Sequence, residues 1–255
     1  MKLRIYSDLH ITDEKDELYE PFLESMRSFG RSGNHIVLAG DIFDMLWGDK
    51  PEFYYSRFQR FFECLSLLAA KAVKIDYIEG NHDFLLKKTL PPHPNIHHSE
   101  SEVILSLSGK RFFIAHGDLI DQSDIGYLLL RRFWRCAPMR LLGTVVPGKF
   151  IQWVGETSSS LSQARKKSYG QDLSGRVAPE KLVTVRQIFH DYAQKRFQDG
   201  FDFVVMGHCH DLDGWNTVFN DRPCQYINMG YPRVHGQILE WSANNPIIKR
   251  IPLAR

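Results

Sequence analysis

Long hydrophobic runs, cysteine pairs, internal repeats and low-complexity tracts beyond Ser158-Ser159-Ser160 are all missing from this chain of 255 residues. No run of about 18 apolar residues occurs, so no helix is expected to cross a membrane. The opening Met1-Lys2-Leu3-Arg4-Ile5-Tyr6-Ser7-Asp8 has no apolar region long enough for a signal peptide, and no export leader is expected. Four cysteines (Cys64, Cys136, Cys209 and Cys224) are scattered without CxxC spacing. That pattern argues against a disulfide framework or a structural zinc site and fits a reducing compartment, with the cytoplasm as the expected location.

What is present is an ordinary globular composition, 43% hydrophobic and 24% charged, in a chain long enough to bury a sizeable core. Short apolar runs suited to buried strands recur at Leu3 to Ser7, Ile36 to Ala39, Val73 to Ile78, Val103 to Leu107, Phe112 to Ala115, Phe203 to Met206 and Tyr226 to Asn228. Between them lie helical patterns. One runs from Tyr54 to Ala72, with Phe58, Phe61, Leu65, Leu68 and Ala72 on one stripe; another starts at Pro179 and stops at Gly200, turning Leu182, Val185, Phe189 and Tyr192 inward. Strand, helix, strand, helix predicts an α/β sheet, and the closely spaced later strands add an antiparallel part. One domain over 1–255 is expected.

The net charge of +2 conceals a local block: nine Lys or Arg residues between Arg131 and Arg176 face only Glu156 and Asp172. Interleaved with them are Leu128, Leu129, Leu130, Phe133, Trp134, Met139, Leu141, Leu142, Val145, Val146, Phe150, Ile151 and Trp153. The expectation for 120–176 is an inserted, largely helical cap, basic and apolar at once, with an anionic partner for its charge. The large aliphatics would be wasted on a polyanion, so a nucleic acid is not expected as that partner.

The residues that carry chemistry follow the strands. Asp8-Leu9-His10 follows the first, Gly40-Asp41-Ile42-Phe43-Asp44 the second and Gly80-Asn81-His82-Asp83 the third; His116-Gly117-Asp118 and Gly207-His208-Cys209-His210 come later. The carboxyl ends of strands are where open α/β sheets bind ligands. Carboxylates and imidazoles with almost no thiolate suit Mn²⁺, Fe²⁺, Zn²⁺ or Mg²⁺. Seven candidate ligands exceed the need of one ion that keeps a position open for water, whereas two ions roughly 3.5 to 4 Å apart and sharing a carboxylate use them all. Gly-Asn and Gly-Asp are also common turn dipeptides, and Asp44 and Asp118 are open to a turn or supporting role.

DxH, GDxxD, GNHD, a His before Gly, and GHxH, in that order, is the motif set of the calcineurin-like metallophosphoesterases, which this chain resembles from Asp8 to His210. The resemblance implies an αββα sandwich, mixed β-sheets flanked by helices, and two divalent ions, with Mn²⁺ favoured and Fe²⁺ or Zn²⁺ as alternatives. It assigns Asp8, His10, Asp41 and His210 to one ion and Asp41, Asn81, His116 and His208 to the other, with Asp41 as the bridge. It places His82 at the leaving oxygen, with Asp83 orienting its imidazole.

Within that family, His116 to Phe133, "HGDLIDQSDIGYLLLRRF", resembles the UDP-2,3-diacylglucosamine hydrolases of lipid A synthesis, and "GNHDFLL" is similar to their "GNRDFLL". The likeness implies a lipid-linked nucleotide diphosphate as substrate, and peripheral contact with the cytoplasmic face of the inner membrane is expected with it. It sets Asp124 and Tyr127 near the sugar and lipid headgroup and Arg165, Lys166 and Lys167 near the phosphates, and it counts Asn81 and His82 among the substrate-binding residues. His82 stands where those hydrolases carry Arg. An Arg clamps a diphosphate in bidentate fashion, whereas a His donates a proton near neutral pH. A phosphodiesterase or phosphatase of other specificity stays open, as does a non-catalytic binding module.

Overall fold

The computed structural model describes residues 1–122, 124–147, 179–245 and 247–253. Its strands are β1 (Lys2–Tyr6), β2 (His35–Ala39), β3 (Leu46–Trp47), β4 (Lys74–Ile78), β5 (Asp83–Phe84), β6 (Ile96–Ser99), β7 (Glu102–Leu107), β8 (Lys110–Ala115), β9 (Phe203–Met206), β10 (Gly214–Phe219), β11 (Arg222–Asn228), β12 (Gln237–Ser242) and β13 (Lys249–Pro252). Its helices are α1 (Tyr19–Phe29), α2 (Pro51–Arg57), α3 (Gln59–Ala70), α4 (Ile125–Arg135), α5 (Ala137–Val145), α6 (Pro179–Gln198) and α7 (Pro232–His235). One sheet runs β13-β12-β1-β2-β4-β6 and a second β10-β11-β9-β8-β7, while β3 and β5 form a short parallel ribbon.

Period-two alternation explains how these elements stack. Along β1, Leu3 and Ile5 join Val37, Ile78, Phe112, Ile114, Phe203 and Val205 in the layer between the two sheets. Tyr6 points the other way, with Ile36, Leu38 and Tyr77, into the layer covered by Phe22 and Met26 of α1 and Phe61, Leu65 and Leu68 of α3. On the far face of the second sheet, Phe113, Val204 and Tyr226 meet Phe189, Ala193 and Phe197 of α6. The result is the expected αββα sandwich. Strands β1, β2 and β4 are mutually parallel, as are β8, β9 and β11, so their carboxyl ends open on one rim.

The expected helix from Tyr54 to Ala72 is two helices. Phe58 leaves helical geometry at φ −128°, ψ 41°, between α2 and α3, and its buried ring meets Phe43 at 4.1 Å. Helix α1 and strands β6, β10, β12 and β13 add to the pattern read from the sequence.

Of the segment expected to form a cap, the described part contains α4 and α5, joined at Cys136, whose extended backbone (ψ 153°) ends α4. Residues 148–178 lie outside the described residues, and with them Arg165, Lys166 and Lys167. The ring of Trp134 sits edge-on to Trp47 at 5.7 Å and anchors α4 on the body. Three of the nine cations of the basic block have internal partners. Arg131 pairs with Asp118, Arg135 with Glu79 and Arg140 with Asp49, all carboxylates of the body and all buried. Charge counted along the sequence hides this, because these partners lie up to 91 residues from the arginines.

Candidate metal centre

Backbone geometry at the strand ends aims the side chains. Asp8, His10, Asp41, His208 and His210 all adopt left-handed φ values, between 48° and 67°. Such conformations cost on the order of 1–3 kcal/mol each in non-glycine residues, and their concentration here marks a site over-determined by its surroundings. The two neighbouring glycines serve different needs. Gly40 itself requires a positive φ, 82°; Gly80 does not, but a Cβ there would overlap the Asp41 carboxylate and lie 2.6 Å from the Asp41 nitrogen.

The rim gathers three clusters whose ligand atoms lie within 4.8 Å of one another: Asp8, His10 and His210; His10, Asp41 and His82; Asp41, His116 and His208. Asn81 completes the third, its Oδ1 standing 3.1 Å from His116 Nε2 and 3.0 Å from His208 Nδ1. Asp41 Oδ2 is 3.7 Å from His10 Nε2 and 3.4 Å from His116 Nε2, between the two groups. All seven residues read from the motifs as ligands therefore converge.

The donor set fits cations. His116 Nδ1 donates to the Ala39 carbonyl at 3.1 Å, so its Nε2 presents a lone pair toward Asn81 Oδ1 and Asp41 Oδ2 in the neutral ring. Lone pairs facing lone pairs in a buried pocket call for a positive charge among them. The electrostatics agree: burial would depress the pKa of His116, but the Asp41 carboxylate outweighs it and holds the imidazole well above its ordinary range. Burial would likewise raise Asp41, but the charges of His116 and His82 keep its carboxyl well below the usual carboxylate range. Ser7 Oγ donates to Asp8 Oδ2 at 2.5 Å, which fixes a carboxylate with no solvent exposure.

His82 and Asp83 part company. Asp83 does not orient the His82 imidazole as expected; fully buried, it accepts hydrogen bonds from the nitrogens of Asp41 (2.9 Å), Ile42 (2.8 Å) and Gly80 (2.9 Å) and from the Tyr77 hydroxyl (2.7 Å). Burial and the Asp41 charge push its carboxyl up to about 7, against those donors. His82 is oriented by Asp44 instead, its Nδ1 donating to the Asp44 carbonyl at 2.8 Å. The ring stands edge-on to His10 at 4.8 Å, within the cluster of His10 and Asp41.

The expected substrate residues have local partners of their own. Asp124 caps α4, its Oδ1 accepting the Tyr127 N–H at 2.9 Å. The Tyr127 hydroxyl donates to Asp118, and its ring lies 6.2 Å from that of His208. Sequence reading missed Tyr231, whose ring stacks flat on His210 at 4.3 Å. It also missed Glu79, beside the Gly80 bend and in contact with Leu86, His98 and Arg135. No short motif marks either one.

Two adjoining clusters of carboxylate, imidazole and amide ligands, joined at one buried Asp on the rim of an αββα sandwich, define a metal-dependent hydrolase of phosphoric esters. A family model described as calcineurin-like phosphoesterase matches residues 1–212, and the chain belongs to that family. The family implies divalent metal ions, for which these clusters offer candidate ligands. Two curated relatives named UDP-2,3-diacylglucosamine hydrolase are similar over most of their length. That of Aliivibrio fischeri is 24% identical, with 95% of each chain covered. That of Haemophilus ducreyi is 29% identical over 80% of this chain and 82% of the relative. Among solved structures, an archaeal phosphodiesterase aligns at a TM-score of 0.48 and 14% identity, with 99% of both chains covered.

Proposed function

We propose that the chain hydrolyses the diphosphate bond of UDP-2,3-diacylglucosamine or a closely related lipid-linked nucleotide, yielding UMP and a lipid monophosphate. The observation that carries the lipid reading is the outer face of α4, which leaves Ile125, Leu129, Leu130 and Phe133 more than half exposed while Tyr127 on the same helix stands against the His208 ring. An apolar, arginine-flanked helix rising from a phosphoesterase rim suits acyl chains at an anionic membrane surface. Among the described residues no helix is long and apolar enough to cross a membrane, so contact from one side is the mode proposed. The names of the curated relatives support the same substrate class.

In this reading Asp8, His10, Asp41 and His210 hold one ion and Asp41, Asn81, His116 and His208 the other, with Mn²⁺ favoured. Bound there, the ions supply an activated water and neutralise the phosphoryl oxygens. His82, fixed through Nδ1 by the Asp44 carbonyl, carries a proton on Nε2 to the departing oxygen. Asp83 acts as a positioning residue, holding the Asp41 and Gly80 backbones together. Asp124 and Tyr127 serve the sugar and headgroup, and Arg165, Lys166 and Lys167 the phosphates.

A second reading, a phosphodiesterase of other specificity, is favoured by His82 in place of Arg and by the engagement of Arg131, Arg135 and Arg140 with carboxylates of the body. Incubation with UDP-2,3-diacylglucosamine, Mn²⁺ and detergent separates the two. UMP and a monophosphorylated lipid are expected. No UMP from the native protein or from His82→Arg, with bis(p-nitrophenyl) phosphate still cleaved, would favour the second reading.

A further inference from the structure

Helix α4 reaches the metal rim along one stripe: Tyr127, Arg131 and Arg135, spaced at i, i+4 and i+8. The side-chain contacts of that stripe with carboxylates of the body end beside residues assigned to the same ion. The Tyr127 hydroxyl and Arg131 Nε, the latter at 3.2 Å, both meet Asp118 Oδ2, two residues after His116. Arg135 Nη2 donates to Glu79 Oε2 at 2.9 Å, two residues before Asn81, and reaches the Gly80 carbonyl at 3.4 Å. With α4 seated both acceptors are buried, Glu79 at 1% exposure and Asp118 at 6%, so the bonds from the helix are made out of contact with water.

From this we infer that α4 is a splint for the second metal centre: its inner stripe ties together the two loops that supply Asn81 and His116, so the seating of the helix sets that centre's affinity. The centre of Asp8, His10 and His210 receives no such tie from α4 among the described residues. Outer partners of ligand residues commonly govern metal affinity by 10- to 100-fold. By linkage, whatever shifts α4, including a ligand on its outer face, changes the affinity of this centre, and loading the centre steadies α4 in turn. Arg131 and Arg135 are positioning residues here, acting through Asp118 and Glu79.

The inference rests on the two-metal reading, and one experiment tests them apart. Mn²⁺ is titrated into the metal-stripped full chain by calorimetry and electron paramagnetic resonance, with crystals of each variant read by anomalous scattering. The native protein is expected to take two ions. Arg135→Gln, and independently the pair Tyr127→Phe with Arg131→Gln, should weaken one of them roughly 10- to 100-fold, the lost occupancy lying at Asn81, His116 and His208. Arg135→Lys should restore most of the affinity. The control is Arg140→Gln, which breaks the α5 tie to Asp49 at 3.1 Å, a tie that ends beside no ligand. It should leave both ions unchanged. Equal weakening by the control, equal loss at both centres, or unchanged binding in both stripe variants overturns the splint while leaving the two-metal reading intact. Fewer than two ions in the native protein overturns both.

Discussion

The Asp83 carboxylate accepts the Asp41 backbone N–H at 2.9 Å, which joins the third strand-end loop to the second across 42 residues of chain. With Ile42, Gly80 and Tyr77 as further donors, this one side chain holds together the bends that present Asp41 and Asn81.

Asp83→Ala should therefore act first on stability. It strands three backbone donors and a tyrosine hydroxyl in the interior, at about 1–3 kcal/mol for each that finds no water. A loss of roughly 3–5 kcal/mol in urea unfolding is expected, less than the simple sum because water enters the cavity. Unchanged stability would show that the carboxylate is dispensable to the rim.

Gly80 and Gly33 give a matched pair. Gly33 has φ 79° and open space where a Cβ would stand, with no atom within 4 Å, whereas a Cβ on Gly80 meets Asp41 directly. Gly33→Ala should cost on the order of 1 kcal/mol of backbone strain and leave Mn²⁺ binding alone. Gly80→Ala should push Asp41 off its position and weaken Mn²⁺ binding at least tenfold by calorimetry. Equal effects from the two substitutions would refute the close-approach argument.

For His82 the leaving group is the discriminating variable. A group that protonates the departing oxygen contributes about 10²–10⁴-fold in rate, and least where the leaving group is already acidic. His82→Ala should slow an alkyl phosphodiester strongly and a p-nitrophenyl ester little, with Mn²⁺ stoichiometry intact. Asp41→Ala, which removes the carboxylate standing between the two groups of candidate ligands, should abolish turnover of both. A uniform loss across leaving groups in His82→Ala would instead point to the cluster in which His82 stands with His10 and Asp41.

These residues also show where sequence reading succeeds and where it stops. DxH, GDxxD, GNHD, the His before Gly and GHxH are local, and each follows an apolar strand whose direction sets where its side chains point; the convergence of all seven candidate ligands is legible for that reason. Adjacency in sequence suggests that Asp83 serves His82, but successive side chains on an extended segment diverge, and Asp83 turns to the backbone of the second loop. The arginines of α4 look free in the sequence because Glu79 lies 56 residues away from Arg135. The break at Phe58 is invisible there because the surrounding residues carry an unbroken helical pattern; the packing of its ring on Phe43 decides it.

Asp16 offers a pH test away from the ligands. Its Oδ2 accepts from Arg233 Nη2 at 2.8 Å, and the same nitrogen reaches the His10 carbonyl at 3.0 Å, which steadies the loop after β1. Burial alone would raise the Asp16 pKa, but the hydrogen bond from Arg233, with those from Leu18 and Thr12, brings it below its ordinary 3.8. A carboxyl with a depressed folded-state pKa contributes stability that is fully present above the unfolded value and disappears as pH falls through the folded one. Asp16→Asn should accordingly be less stable than the native chain in urea at pH 7, with a gap that starts to close below about pH 4 and is gone once both carboxyl states are protonated. A gap independent of pH would mean that shape, rather than charge, is what Asp16 brings to the loop.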